Sequence, residues 1–138
     1  MPSKDKFHDA VKNALIKDGW RITHEPLPLE YGGVAMQADL GAEEVIGAER
    51  GGRKIAVEIK SFIAPSFISE FHTALGQTMN YRVALTHSEP DSDLYLAVPV
   101  DVYEEFFQLE FTQTVIQEFS LKIIVYSPER EEIVQWTN

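Results

Sequence analysis

The chain has 138 residues, 44% hydrophobic and 25% charged, the size and balance of a single globular domain spanning 1–138. It has no cysteine, which excludes a disulfide scaffold, a thiolate zinc site and a thiol nucleophile and suits a reducing cytoplasm. A net charge of −10 argues against a surface that grips nucleic acid all over, and no apolar run reaches the ~18 residues of a membrane helix.

In chain order, Ser3 is placed to cap a first helix, in which Phe7, Val11, Ala14 and Leu15 recur at helical spacing up to Gly19. Trp20 to Thr23 reads as a short strand. Two Pro and two Gly make 25–33 a loop. Gly51-Gly52 is a hairpin-turn signal. If it is the turn, paired residue numbers sum to 103, so Ala48 faces Ile55, Ile46 faces Val57, Glu44 faces Ile59 and Glu43 faces Lys60. Ile46, Ala48, Ile55, Val57 and Ile59 then share one face, the core side. A long helix runs from Ser66 to about Thr86. Leu94 to Val100 is a strand covered on both faces. Asp101 caps a helix over 102–109, and a second helical piece covers 112–119. Leu121 to Tyr126 and Ile133 to Trp136 are strands, the last at an edge. The expected fold is α/β, three layers, with a mixed central sheet flanked by helices.

The segment IAVEIKSF, 55–62, carries the chemistry. Its odd positions are apolar through Ile59, so Glu58 and Lys60 project from the other face, about 7 Å apart along the strand. A carboxylate there offers a hard oxygen to a divalent ion, and an amine beside it can orient water or offset phosphate charge. A wet-surface ion pair is the ordinary alternative. Asp39 precedes Glu58 by 19 residues. A straight register carries Asp39 past the end of the partner strand, and Gly41 permits the bend that would bring it back. Glu43 is the rival acid.

The pattern Asp39…Glu58-Ile59-Lys60, set between two helices, resembles the PD-(D/E)XK nuclease superfamily, the restriction-endonuclease-like fold, with Ala38 where the name-giving Pro would stand. Over the full length, FHDAVKNALIKDGW, DLGAEEVIGAERG, KIAVEIKSF and ALGQTMNYRVAL resemble the XisH family, the fdxN element excision controlling factors. That resemblance implies a cyanobacterial cytoplasmic protein taking part in excision of a DNA element during heterocyst differentiation. It also implies a XisI partner and a separate site-specific recombinase. The superfamily resemblance implies Asp39, Glu58 and the Ile59 carbonyl as ligands of Mg²⁺ or Mn²⁺, and Lys60 as the group that activates water or contacts phosphate. It further implies Asp9 as an acid on the first helix and Gln77 as a substrate or Lys60 contact on the helix after the motif.

The charge is uneven. Residues 1–26 hold five Lys/Arg against four Asp/Glu, 27–86 five against seven, and 87–138 two against eleven, for +1, −2 and −9. Two functions are expected from different classes. One is a metal-dependent DNA endonuclease that binds DNA weakly alone. The other is a non-catalytic regulator whose acidic third docks a partner. A homo-oligomer is compatible with either, and no membrane contact is expected.

Overall fold

A computed structural model of the chain describes residues 5–45 and 51–137. Helix α1 (His8–Lys17) precedes strands β1 (Trp20–His24), β2 (Leu27–Tyr31), β3 (Val34–Ala38), β4 (Leu40–Val45) and β5 (Gly51–Ile59). Helix α2 (Phe67–Ser88) crosses to β6 (Ser92–Pro99). Helix α3 (Val100–Glu104), a 3-10 turn at Phe106–Gln108 and helix α4 (Glu110–Glu118) lead to β7 (Ile123–Ser127) and β8 (Glu132–Thr137). Six strands form one mixed sheet in the order β1-β4-β5-β6-β7-β8, with β5, β6 and β7 parallel. Strands β2 and β3 make a separate hairpin. The expected α/β class with a mixed central sheet flanked by helices is the one observed.

Both faces of the sheet are buried. On one, Val11 and Leu15 of α1 meet Leu40, Ala42, Ile55, Val57 and Ile59. On the other, Ala56 and Leu94 lie under Ala84 and Leu85 of α2, together with Leu27, Leu29 and Ala38 from the hairpin. A third cluster joins Phe62 and Phe71 to Phe107, Val98 and Val125. Strand β6 is covered on both sides from Leu94 to Pro99, as its unbroken apolar run requires.

Several expectations are corrected. The segment 25–33 is no simple loop, because Leu27↔Ala38 through Tyr31↔Val34 pair around Gly32-Gly33, whose φ values are 60° and 87°. Two positive φ values in a two-residue loop are the requirement of a type I′ turn. Pro28 is tolerated because β2 is an edge strand. The pairing of β4 with β5 runs Leu40↔Val57, Gly41↔Ala56, Ala42↔Ile55 and Glu43↔Lys54, so partner numbers sum to 97 rather than 103. Gly51 and Gly52 therefore belong to β5, and the connection lies between Val45 and Gly51. Ile55 and Val57 face the core as expected, but opposite Ala42 and Leu40. The expected positions of Ile46 and Ala48 fall outside the described residues, as does the Ser3 cap.

Helix starts also differ. Asp5, not foreseen as a cap, accepts the Phe7 N–H at the head of α1 (2.9 Å). Ser66, expected as the first residue of the long helix, is its cap, accepting the Ser69 N–H at 3.2 Å, and α2 begins at Phe67. Asp101 is inside the first turn of α3, which begins after Pro99. Among the described residues no helix is long and apolar enough to cross a membrane.

Candidate active site

The corrected register builds the site. Continued one residue beyond Leu40↔Val57, it sets Asp39 opposite Glu58 with no bulge required. Asp39 occupies the corner where the chain leaves the hairpin and enters the main sheet, between β3 and β4. There the Ile59 N–H donates to Asp39 Oδ2 at 2.8 Å. That bond fixes the carboxyl beside the end of β5.

Glu58 is 6% exposed on the face that α2 covers. Burial is the main reason its carboxyl titrates far above the usual range, at about 8, and the negative charge of Asp39 adds to the effect. The Lys60 ammonium pulls in the opposite direction. Asp39 acts on Glu58 chiefly through its charge, so the two carboxyl groups are close enough to influence each other's ionisation. Asp39, Glu58 and Lys60 are thus one electrostatic unit. Two adjacent carboxyls with excess negative charge and hard oxygen donors have the chemistry of a divalent-cation site. The residues present fit such an ion.

The remaining expected residues are placed as follows. Ile59 is buried and joins the site through its N–H, a different atom from the carbonyl oxygen that the superfamily resemblance implies. Glu43, the rival of Asp39, is opposite Lys54 and not Lys60, and it accepts from Arg21 Nη2 at 2.7 Å. It lines a different cavity, with Thr23, His24 and Glu89. Gln77 is half-buried on α2, and its side-chain oxygen is enclosed without a hydrogen-bond partner among the described residues. Asp9 is exposed on α1 and gathers with His8 and Glu25, their ligand atoms within 4.8 Å of one another. That cluster already holds a cation: Lys12 Nζ sits 2.8 Å from Glu25 Oε1 while His8 Nε2 lies 2.7 Å from Glu25 Oε2. The Lys12 and His8 contacts hold the Glu25 carboxyl below its usual range.

Three further residues belong to the surroundings. Asp5 Oδ2 accepts the Ser61 N–H at 3.0 Å, tying the start of α1 to the residue after Lys60. Phe62 follows with φ 55°, an uncommon conformation for an aromatic residue, held by edge contacts to Phe67 and Phe107. It lies three residues past the end of β5. Tyr81 of α2 packs against the cluster that holds Ala38 and Ala56, and its phenol is raised above the usual range by burial and then by the charges of Glu58 and Asp39. Its spacing of four from Gln77 on α2 is the sequence signal that places the two on one helix face. Asp5 and Glu25 are brought in by long-range contacts, for which the sequence carries no local sign.

The chain matches the family model for XisH protein over residues 1–134. It is similar to the crystal structure of an XisH family protein from Nostoc punctiforme PCC 73102, with 51% identity and a TM-score of 0.89, covering 97% of this chain and 100% of that one. It is also similar to the crystal structure of a fdxN element excision controlling factor protein from Anabaena variabilis. There the identity is 53% and the TM-score 0.87, covering 96% of this chain and 98% of that one. No curated protein matches it. A full-length family match, together with two whole-chain structural likenesses at about half identity, establishes that the chain belongs to the XisH family.

Proposed function

We propose that this protein is a nuclease-like factor in the controlled excision of a DNA element, working in the cytoplasm through a Mg²⁺ or Mn²⁺ centre at Asp39 and Glu58. The observation that carries this is the buried Glu58 carboxyl on the same strand as Lys60, with Asp39 fixed beside the strand's end by the Ile59 N–H. The excision role is supported by the name of the Anabaena variabilis relative, and the nuclease chemistry by the likeness of Asp39…Glu58-Ile59-Lys60 to the PD-(D/E)XK pattern.

Asp39 and Glu58 would hold the ion, and the Ile59 N–H fixes the Asp39 carboxyl for that role. When bound, the ion supplies Lewis-acid polarisation of a phosphodiester oxygen and a lowered water pKa. Glu58 must give up its proton to serve as a ligand. Lys60 extends from the end of the same strand, where its ammonium offsets phosphate charge and orients the attacking water. Burial beneath α2 keeps bulk water off Glu58, which strengthens each of these interactions. The test is nicking of supercoiled plasmid with and without Mg²⁺ or Mn²⁺. Metal-dependent nicking that disappears in Lys60→Ala is expected, and its absence for the wild-type chain, alone and with partner, would refute the reading.

A second reading is favoured by the surface of α3 and α4. Glu104, Glu105, Glu110 and Glu118 are exposed there beside the exposed side chains of Leu109 and Phe111, and no Lys or Arg occurs between Arg82 and Lys122. Under it the protein is a non-catalytic regulator of a recombinase, docking a basic, XisI-like partner on that face.

A further inference from the structure

A second groove has no part in the chemistry above; Met36 and Tyr81 of its lining pack against the cluster that holds Ala38, next to Asp39 in the chain, and Ala56, two residues before Glu58 on β5. It lies between the β2–β3 hairpin and α2, has a volume of about 520 Å³, and is lined by residues that include Tyr31, Val34, Met36, Gln77, Asn80 and Tyr81. No lining residue is charged, although the chain is at −10. Its walls are apolar and open: Val34 is 56% exposed and Val83 57%. At one end Tyr31 stacks on His87 with ring centres 4.1 Å apart and planes 7° from parallel. Toward the other is Tyr81, whose phenol lies in the field of Asp39 and Glu58. Among the described residues that line it, Gln77 carries the one buried polar atom without a partner, its acceptor Oε1, and Asn80 adds an exposed amide.

These features select among the parts of a DNA strand. A phosphate has no cation here to meet it. A base pair inside a duplex hides its faces in the stack. An unpaired base has uncharged, apolar faces and an edge that carries an N–H donor, and such faces pack well on flat apolar and aromatic side chains. Resting on the nuclease reading above, we propose that the groove takes an unpaired nucleobase of single-stranded DNA, its face against Val34 and Met36 and its edge toward Gln77, with the neighbouring phosphate directed toward the ion that Asp39 and Glu58 would hold. The site would then favour frayed, flipped or single-stranded DNA over intact duplex. It would also give an acidic protein a hold on DNA that owes nothing to phosphate charge.

The test uses [methyl-¹³C]methionine-labelled full-length protein without divalent metal, so it does not depend on catalysis. Met36 lines the groove, whereas Met79 takes a contact from Arg82 Nη2 and serves as internal reference. Thymidine should displace the Met36 methyl resonance upfield and leave Met79 in place. A short oligothymidylate should do so at roughly tenfold lower concentration, because neighbouring nucleotides add their own contacts. An abasic oligomer of equal length should have no effect. Val34→Glu, a change at an exposed position, should abolish the displacement, and Gln77→Leu should weaken it several-fold. No Met36 response to any probe, or a response that survives Val34→Glu, would overturn the proposal. Equal potency of thymidine and oligothymidylate would overturn single-stranded DNA as the source of the base. A Met36 response without metal-dependent nicking would remove the nuclease reading and leave the groove. Nicking without the response would remove the groove alone.

Discussion

At neutral pH the metal-free chain carries a proton on Glu58, since its carboxyl titrates at about 8 against an ordinary 4.5. The folded state therefore binds this proton more tightly than the unfolded state does. The stabilisation is fully present below about pH 4.5 and is lost as pH rises through about 8, where folding must accommodate a buried charge beside Asp39. The total is at most a few kcal/mol, taking ~1.4 kcal/mol per pKa unit and allowing for coupling between the two acids. Thermal melts of metal-free protein should show Tm falling between pH 5 and pH 9 from this group. In Glu58→Gln that fall should be largely gone, and Mg²⁺ should restore the loss at high pH in wild type only. At the same scale, Glu58→Gln and Lys60→Ala should reduce nicking by roughly 10²-fold or more, comparable to loss of one transition-state contact. Both should fold normally by circular dichroism, because the Ile55–Val57–Ile59 face of the strand is untouched.

Among the elements, the β2–β3 hairpin and the β4–β5 pairing decide where the acids fall. The sequence contains two Gly-Gly steps, and the weaker candidate on inspection, Gly32-Gly33, is the tight turn. Pro26 and Pro28 made its flanks look like loop, although LPLEY and VAMQA alternate well enough for an edge hairpin. Placing the turn at Gly51-Gly52 shifted the β4–β5 register by six residues. An even shift leaves every side chain on its correct face, which is why the core face and the projection of Glu58 and Lys60 from the other side were legible. The partner of Glu58 was not, since only the true register sets Asp39 there and sends Glu43 to Lys54 and Arg21. Helix α2 from about Ser66 and the buried strand β6 were readable because period and run length are local signals. The docking of Asp5 onto Ser61 was not, because it spans 56 residues. Two substitutions test these elements. Gly33→Ala, at φ 87°, should cost on the order of 1 kcal/mol and lower Tm by roughly 2–4 °C. Ile59→Asp should prevent folding, as it puts a charge among Val57, Leu40 and Tyr126, and a soluble, cooperatively melting Ile59→Asp protein would contradict the assigned core face.

Over the whole molecule, charge and site are separated along the chain. The last third carries −9, and α3 and α4 present Glu104, Glu105 and Glu110 on an exposed face. Exposed acids repel DNA over a screening length of about 8 Å at physiological salt. Reversing these three residues to Lys should raise non-specific DNA affinity, with a steeper salt dependence, and should weaken binding of a basic partner. Fluorescence anisotropy with labelled duplex, and with the partner titrated separately, reads both effects. Unchanged partner affinity would place the docking face elsewhere. The central claim, a divalent-metal centre at Asp39 and Glu58, is tested most directly by titrating Mn²⁺ into the protein calorimetrically at pH 7 in buffers of differing ionisation enthalpy. Binding at one site per chain is expected, with release of close to one proton as Glu58 becomes a ligand, and with both the heat and the proton lost in Glu58→Gln. Absence of binding to the wild-type chain, or binding and proton release unchanged in Glu58→Gln, would contradict it.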